Sequence, residues 1–508
     1  MMTMRDLRRR LDEKGAALPF VAVMLVLLIG MAAFAIDLGW IFLSSSRVQR
    51  AADSAALAGV VYLPSDTTNV TAFAVNGAQA NGYSVGTVNG NPTGTGGPDD
   101  LAWQALADNK LEVTLESQID TFFLKVLGFD SLDIARMATA EYIKPVPLGS
   151  PGNCFGIGTL GSGIFSTLPS GASAAADLCD DSVQNFWGAA NGRRTAKQHG
   201  DPYLVTCGFN CPGSNPDFNP SDPFYYYGID VPAGKSFVEI YLYDAGFYDR
   251  SNFAEAGDED DLTNSTSGGI NMRYRFFDPN GTPQIPQDNL TDASCNGGGS
   301  STLSIDSETS SSTYRNKWAL MCRINNPAGG IYVLRIGNTS ANIGGSNSYS
   351  ILVNTNNVSA QPIPRVYGIN NMSIFTNQPS GSATVYLAEV EPIHAGKVLK
   401  LDFYDPGEGA GNADMTVLAP PGVSGFSCNW TATNGDSGNS CQIDTTIGGV
   451  AQFNGEWINM TIVLPQAANY NCTTDCFWKM SLDLNTSHDR TTWEARVIGN
   501  PVRLTPNQ

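Results

Sequence analysis

The sequence predicts an α+β protein that is mainly β: a long N-terminal transmembrane helix with a small α+β head, followed by two tandem antiparallel β-sandwich domains. Residues 16–36 carry no charge, and the run meets the roughly 20 residues needed to cross a bilayer core. Beyond residue 200, alternating segments such as "FVEIYLY" are separated by Gly, Pro, Asn and Asp, as in half-buried strands. All 10 cysteines follow residue 150, which predicts disulfides in an oxidising compartment.

Composition narrows the classes of function. The formal net charge of −19 argues against a nucleic-acid partner, because nucleic acid is itself strongly negative. Only 3 histidines are present, and no GxSxG, HExxH or Walker pattern occurs, so we expect no enzyme. Paired carboxylates that cleave glycosides are the rival hypothesis, but acidic loops alone are an unspecific signal.

The apolar run predicts a single-pass membrane protein. Basic residues in the segment 1–14 favour a cytoplasmic N-terminus by the positive-inside tendency, and the remaining domains are then extracytoplasmic, in the cell envelope or at the surface. A cleavable secretory signal is the alternative, although its apolar core normally spans only about 7–15 residues. This run is longer and continues into a further helix-favouring stretch, so we predict one extended helix over residues 15–62.

Beyond the apolar run, the predicted helix carries a face of small residues. The residues that recur at helical spacing are Val48, Ala51, Ala52, Ala55 and Gly59. Such a face permits close approach of another helix, either from a partner protein or from the chain's own head domain. Asp37 is the only charge within residues 16–46, and it marks either the outer end of the span or a contact with a partner helix.

Residues 13–60 resemble the N-terminal segment of the TadG-like proteins of Tad/Flp pilus assembly. The matching elements are Ile36-Asp37-Leu38-Gly39 and the stretch "VQRAADSAALAG" over residues 48–59. The resemblance implies that the helix contacts the membrane and other Tad/Flp pilus components or like subunits. The helix residues expected to make these contacts are Asp37, Gly39, Gln49, Ala52, Asp53, Ala55, Ala56 and Gly59.

The resemblance extends more weakly to about residue 142 and implies a pilin-like head over residues 63–145. Here a helix is expected to end at Asn81-Gly82, "LEVTLESQI" alternates as a strand, and "DTFFLKVLGFDSLDIARMATAEY" indicates a short helix followed by a strand. Pilins that prepilin peptidase processes usually carry Glu five residues after the cleavage-site glycine. Phe20 stands at that position after Gly15, so we expect an uncleaved membrane anchor.

The cysteines fall into sequence neighbours, which favours local disulfides. The neighbouring pairs are Cys154 and Cys179, Cys207 and Cys211, Cys295 and Cys322, Cys428 and Cys441, and Cys472 and Cys476. Zinc is the competing interpretation, but the tight pairs are CxxxC and no histidines cluster near them. Connectivity cannot be deduced from sequence alone.

Two later segments look like copies of each other. "VPAGKSFVEIYLYDAG" begins at Val231 and "IHAGKVLKLDFYDPG" begins at Ile393, and further matches follow in the same order. We therefore predict a Gly- and Ser-rich connector over 146–202 and β-sandwich repeats over 203–358 and 362–505.

Acidic residues gather after the Tyr-Asp turn of each copy. Because Ca²⁺ takes 6–8 oxygen ligands, loop carboxylates suit it, and solvated acidic loops are the alternative. The candidate calcium ligands are Asp244, Asp249, Asp258, Asp260, Asp405, Glu408 and Asp414. Structural Ca²⁺ is thus the cofactor that these loops would hold. The predicted function is structural, within Tad/Flp pilus assembly, and the alternative is a surface adhesin whose calcium-stabilised loops bind glycan or protein.

Overall fold

The structure is a computed structural model, and it describes most of the chain. The described residues are 4–63, 67–94, 96–107, 109–142, 146–149, 152–156, 186–191, 197, 200–204, 215, 224–244, 272–279, 290–305, 314, 317–338, 346–356, 362–377, 382–473, 475–485, 488–498 and 502–505. They contain one long apolar N-terminal helix and many antiparallel strands in several sheets, so the predicted mainly β class with a long N-terminal helix is confirmed, while the division into two tandem sandwiches stays a prediction.

Among the described residues, two α-helices come first and a long series of strands follows. The helices are α1 Met4–Gly59 and α2 Thr67–Ala80. The strands in chain order are β1 Val85–Val88, β2 Asn91–Pro92, β3 Asp99–Ala107, β4 Lys110–Asp120, β5 Ser131–Tyr142, β6 Cys154–Phe155, β7 Phe186–Asn191, β8 Tyr225–Val231, β9 Phe237–Asp244, β10 Met272–Phe277, β11 Gly298–Gly299, β12 Thr302–Ile305, β13 Lys317–Asn325, β14 Gly330–Asn338, β15 Ser346–Thr355, β16 Arg365–Ile369, β17 Asn371–Asn377, β18 Ala383–Glu389, β19 Val398–Tyr404, β20 Ala413–Leu418, β21 Ser427–Ala432, β22 Ser437–Gly438, β23 Gln442–Ile447, β24 Val450–Ala451, β25 Trp457–Val463, β26 Phe477–Asp483, β27 His488–Ile498 and β28 Val502–Thr505. Short 3-10 helices lie at Val60–Tyr62, Leu124–Leu127, Pro392–His394 and Ala467–Asn469.

The chain divides into two compact units. The N-terminal unit comprises Met1–Ile143 and Pro501–Gln508, and the C-terminal unit comprises Lys144–Asn500. In the N-terminal unit, a six-stranded sheet has the order β2-β1-β3-β4-β5-β28. The last strand differs from the expected second repeat, which extended to residue 505: Val502 pairs with Tyr142 and Thr505 with Thr139 at the edge of this sheet. Such long-range pairing carries no local sequence signal.

The core of the N-terminal unit forms between the outer half of α1, helix α2 and the sheet. Because β4 alternates, Leu111, Val113 and Leu115 all face this core and are completely buried. The predicted helix ending at Asn81-Gly82 corresponds to α2, the predicted strand to β4, and the predicted short helix to the 3-10 helix Leu124–Leu127 before β5.

In the C-terminal unit, two lobes share one large sheet. We call β8–β16 the first lobe and β17–β27 the second lobe. The shared 12-stranded sheet has the order β11-β13-β9-β15-β7-β17-β27-β19-β25-β21-β22, and β6 pairs with β15. Each lobe adds a five-stranded sheet, with the orders β12-β10-β14-β8-β16 and β18-β26-β20-β23-β24. The neighbouring strands β10, β14 and β8 of the first five-stranded sheet have the same arrangement as β20, β26 and β18 of the second. Duplication of the sequence stays a prediction.

A single apolar core runs through both lobes. In the first lobe it contains Val238, Ile240 and Leu242 of β9, which alternate toward the residues of β14 and β10. In the second lobe Leu399 and Leu401 of β19 belong to the same core, together with residues of β25 and β26. Apolar residues of the shared sheet and of the two five-stranded sheets are therefore buried together, and this burial is the dominant favourable contribution to folding.

Strand β7 joins the two lobes, in a region where the sequence predicts only a connector. All six residues of β7 are buried, and Gly188 pairs with Tyr349 on one side and Ile374 on the other. A side chain at residue 188 would meet the Tyr349 ring at 2.5 Å, so glycine lets that ring lie across the strand. The sequence does not predict this strand, because the run "FWGAAN" is short and the segment around it has a composition typical of a loop.

Three of the five predicted cysteine pairs are disulfides in the structure: Cys295–Cys322, Cys428–Cys441 and Cys472–Cys476. Cys154 is also disulfide-bonded. The remaining candidates, Cys179, Cys207 and Cys211, lie outside the described residues.

Candidate membrane-proximal site

The clearest polar site in the N-terminal unit is built on Asp37, directly after the uncharged run of α1. Its carboxylate accepts hydrogen bonds from the backbone N–H groups of Phe122 at 2.9 Å, Phe123 at 2.9 Å and Leu124 at 2.6 Å. The Asp37 side chain is completely buried. Since the first N–H groups of a helix have no intrahelical partner, Asp37 caps the 3-10 helix Leu124–Leu127 from a distant part of the sequence.

The β4–β5 hairpin brings its loop to Asp37 because it runs alongside α1. A side chain on Gly59 would meet Leu111 at 2.9 Å, so the start of β4 lies against the end of α1. From Asp37 to Gly59 is 22 residues of helix, which at about 1.5 Å per residue spans about 33 Å. From Leu111 to Thr121 is ten residues of strand, which at about 3.3 Å per residue also spans about 33 Å. The two elements therefore match in length, and the loop lies at the level of Asp37.

Further contacts attach the hairpin to α1 between these two ends. The Gln49 amide nitrogen donates to the Asp53 carboxylate at 2.9 Å and to the Met137 carbonyl at 3.0 Å. The Arg136 guanidinium donates through Nε to the Ser45 hydroxyl at 2.9 Å. Of the residues singled out by the family resemblance, Gln49 thus holds the helix to its own head, and Asp53 accepts a hydrogen bond from Gln49 within the helix.

The small-residue face of α1 lies inside the N-terminal unit. Ala52, Ala55 and Ala56 are completely buried, in one core with residues of α2 and β4. A side chain on Gly77 of α2 would meet the Ser54 carbonyl oxygen at 2.8 Å, which shows how closely the two helices approach. Of the two interpretations of this face, the geometry supports packing on the chain's own domain. Gly39, by contrast, is exposed.

We expect Asp37→Ala to release the hairpin loop. The substitution leaves three part-buried N–H groups without their acceptor, and each hydrogen bond to a charged group contributes about 1.5–3 kcal/mol. Trypsin should then cleave after the exposed Lys125 at least about tenfold faster, since 1.4 kcal/mol changes the open population tenfold. Asp120→Ala removes an exposed carboxylate from the same hairpin and should leave the rate unchanged. Equal cleavage of the Asp37 variant and the wild type would contradict this role.

In the C-terminal unit, two predicted calcium ligands belong to a buried carboxylate cluster, which we define as Asp405, Glu408 and Asp489. The Asp405 carboxylate accepts the Gly455 N–H at 2.6 Å. The Asp489 carboxylate accepts the Gly407 N–H at 2.5 Å and the Thr491 hydroxyl at 2.9 Å. These internal donors already occupy acceptor positions that a cation would need.

Protonation equilibria in the cluster are strongly perturbed. Burial raises the pKa of Asp405 well above its ordinary value, and the neighbouring Glu408 and Asp489 charges raise it further. Burial, with a contribution from Glu408, raises the pKa of Asp489 to about 7. Burial raises the pKa of Glu408 as well. Desolvation disfavours each charged form, so protonation of the cluster favours the fold. Sequence analysis missed Asp489, which lies outside the acidic loops.

The other calcium candidates are dispersed. Asp249, Asp258 and Asp260 lie outside the described residues, and Asp244 ends β9. Asp414 lies in β20, paired with Asp483 of β26. Within the part of the chain that the structure describes, no group of three or more His, Cys, Asp or Glu side chains is arranged to hold a metal ion. Calcium binding therefore stays a prediction.

The inner half of α1 defines the class of protein. Leu18–Tyr62 contains a window with a mean hydropathy of 2.6, none of which is buried. Among the described residues, this is the one helix that is both long enough and apolar enough to cross a membrane. An exposed apolar helix that continues into a folded head fits a single-pass membrane anchor.

Comparison with known families places this anchor more specifically. Residues 15–62 match the family described as "Putative Flp pilus-assembly TadE/G-like". The match confirms the resemblance found in the sequence, and it shows that the N-terminal segment is similar to the TadE/G-like family. None of the curated proteins matches the chain.

Two solved structures show only distant similarity. The N-terminal CBM22-1–CBM22-2 tandem domain of Xyn10C from Paenibacillus barcinonensis is 11% identical, with 53% of this chain and 79% of that chain covered and a TM-score of 0.15. A Cucumber Leaf Spot Virus structure is 11% identical, with 78% and 90% covered and a TM-score of 0.13. Similarity at this level supports no conclusion about the fold or the function.

Proposed function

We propose that this protein is a membrane-anchored structural component of Tad/Flp pilus assembly or of the pilus itself. Its N-terminus lies in the cytoplasm, and both folded units lie outside the cytoplasmic membrane. The observation that carries the proposal is an overlap: the residues that match the TadE/G-like family include the whole exposed apolar inner half of α1. Its role is mechanical rather than catalytic.

The way α1 is divided supports this role. Its inner half exposes large apolar side chains, among them Leu27 at 59% and Ile29 at 59%, as lipid or a partner helix requires. Its outer half is buried in the head, so the anchor and the N-terminal unit form one continuous element. Any force on the head is then transmitted directly to the membrane span. Partner helices have access to the inner half, whereas the outer small-residue face is occupied by the head.

The composition of purified surface filaments tests the assignment. We expect this chain to occur in, or to co-purify with, Tad/Flp filaments, and we expect N-terminal sequencing to find it uncleaved after Gly15. Filaments that assemble normally in cells lacking the chain, and that never contain it, would contradict the proposal.

Membrane anchoring has its own test in the Leu27→Arg variant. An arginine at the centre of a membrane-spanning helix costs about 2.5–3.5 kcal/mol, so a reduced alkali-resistant membrane fraction is expected. Leu106→Arg places the same charge at an exposed residue of the head and serves as the matched control.

A further inference from the structure

The loop that connects β4 to β5 exposes an unusual set of apolar side chains. We call residues 121–130 the hairpin loop. The exposed fractions are 56% for Phe122, 46% for Phe123, 86% for Val126, 71% for Leu127 and 55% for Phe129. Contiguous exposed apolar surface of this kind marks an interaction site, whereas a single exposed residue does not.

The position of the hairpin loop along α1 identifies what covers these side chains. Asp37 holds the loop through three backbone hydrogen bonds. Leu18 and Asp37 are 19 residues apart in one continuous helix, a rise of about 28 Å, close to the roughly 30 Å of a bilayer core. The loop is therefore fixed at the outer boundary of the segment that crosses the membrane.

The chemistry around the hairpin loop is typical of a membrane interface. The Trp40 ring packs edge-on against Phe122 with 5.4 Å between centroids, and the Arg47 guanidinium lies over Trp40 at 5.5 Å. Lys125 is exposed within the loop itself. Tryptophan is enriched where hydrocarbon meets headgroups, and basic side chains there attract anionic lipid.

We propose that the hairpin loop is a second membrane contact, which inserts its apolar side chains into the outer interfacial layer of the bilayer that α1 spans. Its ligand is lipid: acyl chains beside Phe122, Val126 and Leu127, and anionic headgroups beside Lys125. Asp37 links the two contacts, since its carboxylate lies on the helix and its donors lie on the loop. The head is thereby held at a fixed height and tilt above the membrane. This inference rests on the proposed membrane anchoring.

Site-specific photocrosslinking tests the contact in the full chain. The protein is reconstituted in nanodiscs that contain zwitterionic and anionic phospholipid, with benzoylphenylalanine at residue 126, 106 or 27 in separate variants. Val126 and Leu106 are both exposed apolar residues of the N-terminal unit, so these probes disturb the fold little. Leu106 lies in β3 beside the start of β4, at the end of the hairpin that is away from the loop, which makes it the matched control.

We expect lipid adducts from residues 126 and 27, and at least tenfold fewer from residue 106. Lipid adducts at 27 without lipid adducts at 126 would overturn the loop contact and leave the anchor intact. Protein adducts at 126 instead of lipid would also overturn it, because they would assign the loop to a second copy or another protein. Absence of lipid adducts at 27 would overturn the membrane anchor, and the loop proposal with it.

Discussion

The Gly77→Ala variant should destabilise the N-terminal unit by about 2–3 kcal/mol, as overpacking of a close contact does. A β-carbon at residue 77 would lie 2.8 Å from the Ser54 carbonyl oxygen and 2.9 Å from Ala55 Cα. Both are backbone atoms, so no rotamer change relieves the clash, and α2 must move away from α1. Intrinsic helix propensity acts in the opposite direction, because alanine is about 1 kcal/mol better than glycine within a helix. The sign of the effect therefore separates packing from propensity.

Hydrogen exchange of the α2 backbone amides in the full chain, followed in detergent at increasing urea concentration, measures this change. The matched control is Asn76→Ala, since Asn76 precedes Gly77 on the same helix but is exposed. We expect this control to be neutral or slightly stabilising. A Gly77→Ala protein more stable than the wild type would show that the two helices are not in close contact through the small-residue face.

The second large effect is expected for Asp489→Asn in the carboxylate cluster. The folded-state pKa of Asp489 is about 7, above the ordinary value of 3.8, so the native state binds more protons than the unfolded state between these pH values. The contribution of this group to the free energy of unfolding is fully present below pH 3.8 and is lost as the pH rises through about 7. The difference corresponds to about 4 kcal/mol at pH 8, as an upper bound.

Asparagine resembles the neutral acid at every pH, so Asp489→Asn should remove this pH dependence. We expect the variant to be more stable than the wild type at pH 8 and nearly equal to it at pH 4, by urea unfolding with tryptophan fluorescence. Asp483→Asn, which changes an exposed carboxylate on β26, should leave the pH profile unchanged. A variant less stable than the wild type at pH 8 would mean that the cluster requires the charge, as a bound cation would.

Local patterns carried most of what the sequence could predict. The uncharged run gave the membrane-spanning part of α1, and the alternation of β4 and the turn at Asn81-Gly82 gave the elements of the head. Short cysteine spacings predicted three disulfides correctly, because two strands or a turn bring such neighbours together. Each of these features depends on residues close in sequence, where periodicity and spacing are informative.

Long-range pairing accounts for what the sequence could not predict. Asp37 meets its donors 85 to 87 residues away, so neither interpretation of it from sequence included a capping role. Strand β28 pairs with β5, although the whole C-terminal unit lies between them in sequence. Strand β7 joins the two lobes, although it lies within a segment whose composition is typical of a loop. The Asp405 carboxylate, grouped with the acidic loops in the sequence, faces backbone donors inside the protein. Pairing partners of this kind are not encoded in any local window.

Controlled proteolysis of cells tests most directly whether one N-terminal helix anchors an outward-facing body. A specific protease site inserted at the exposed turn around Gly435 reports on the C-terminal unit, and a second site ahead of Arg5 reports on the N-terminus. With the cytoplasmic membrane intact, protease added outside should cut at Gly435 and spare the N-terminal site until the membrane is opened. Cleavage at the N-terminal site, with the Gly435 site protected until lysis, would contradict the proposed topology.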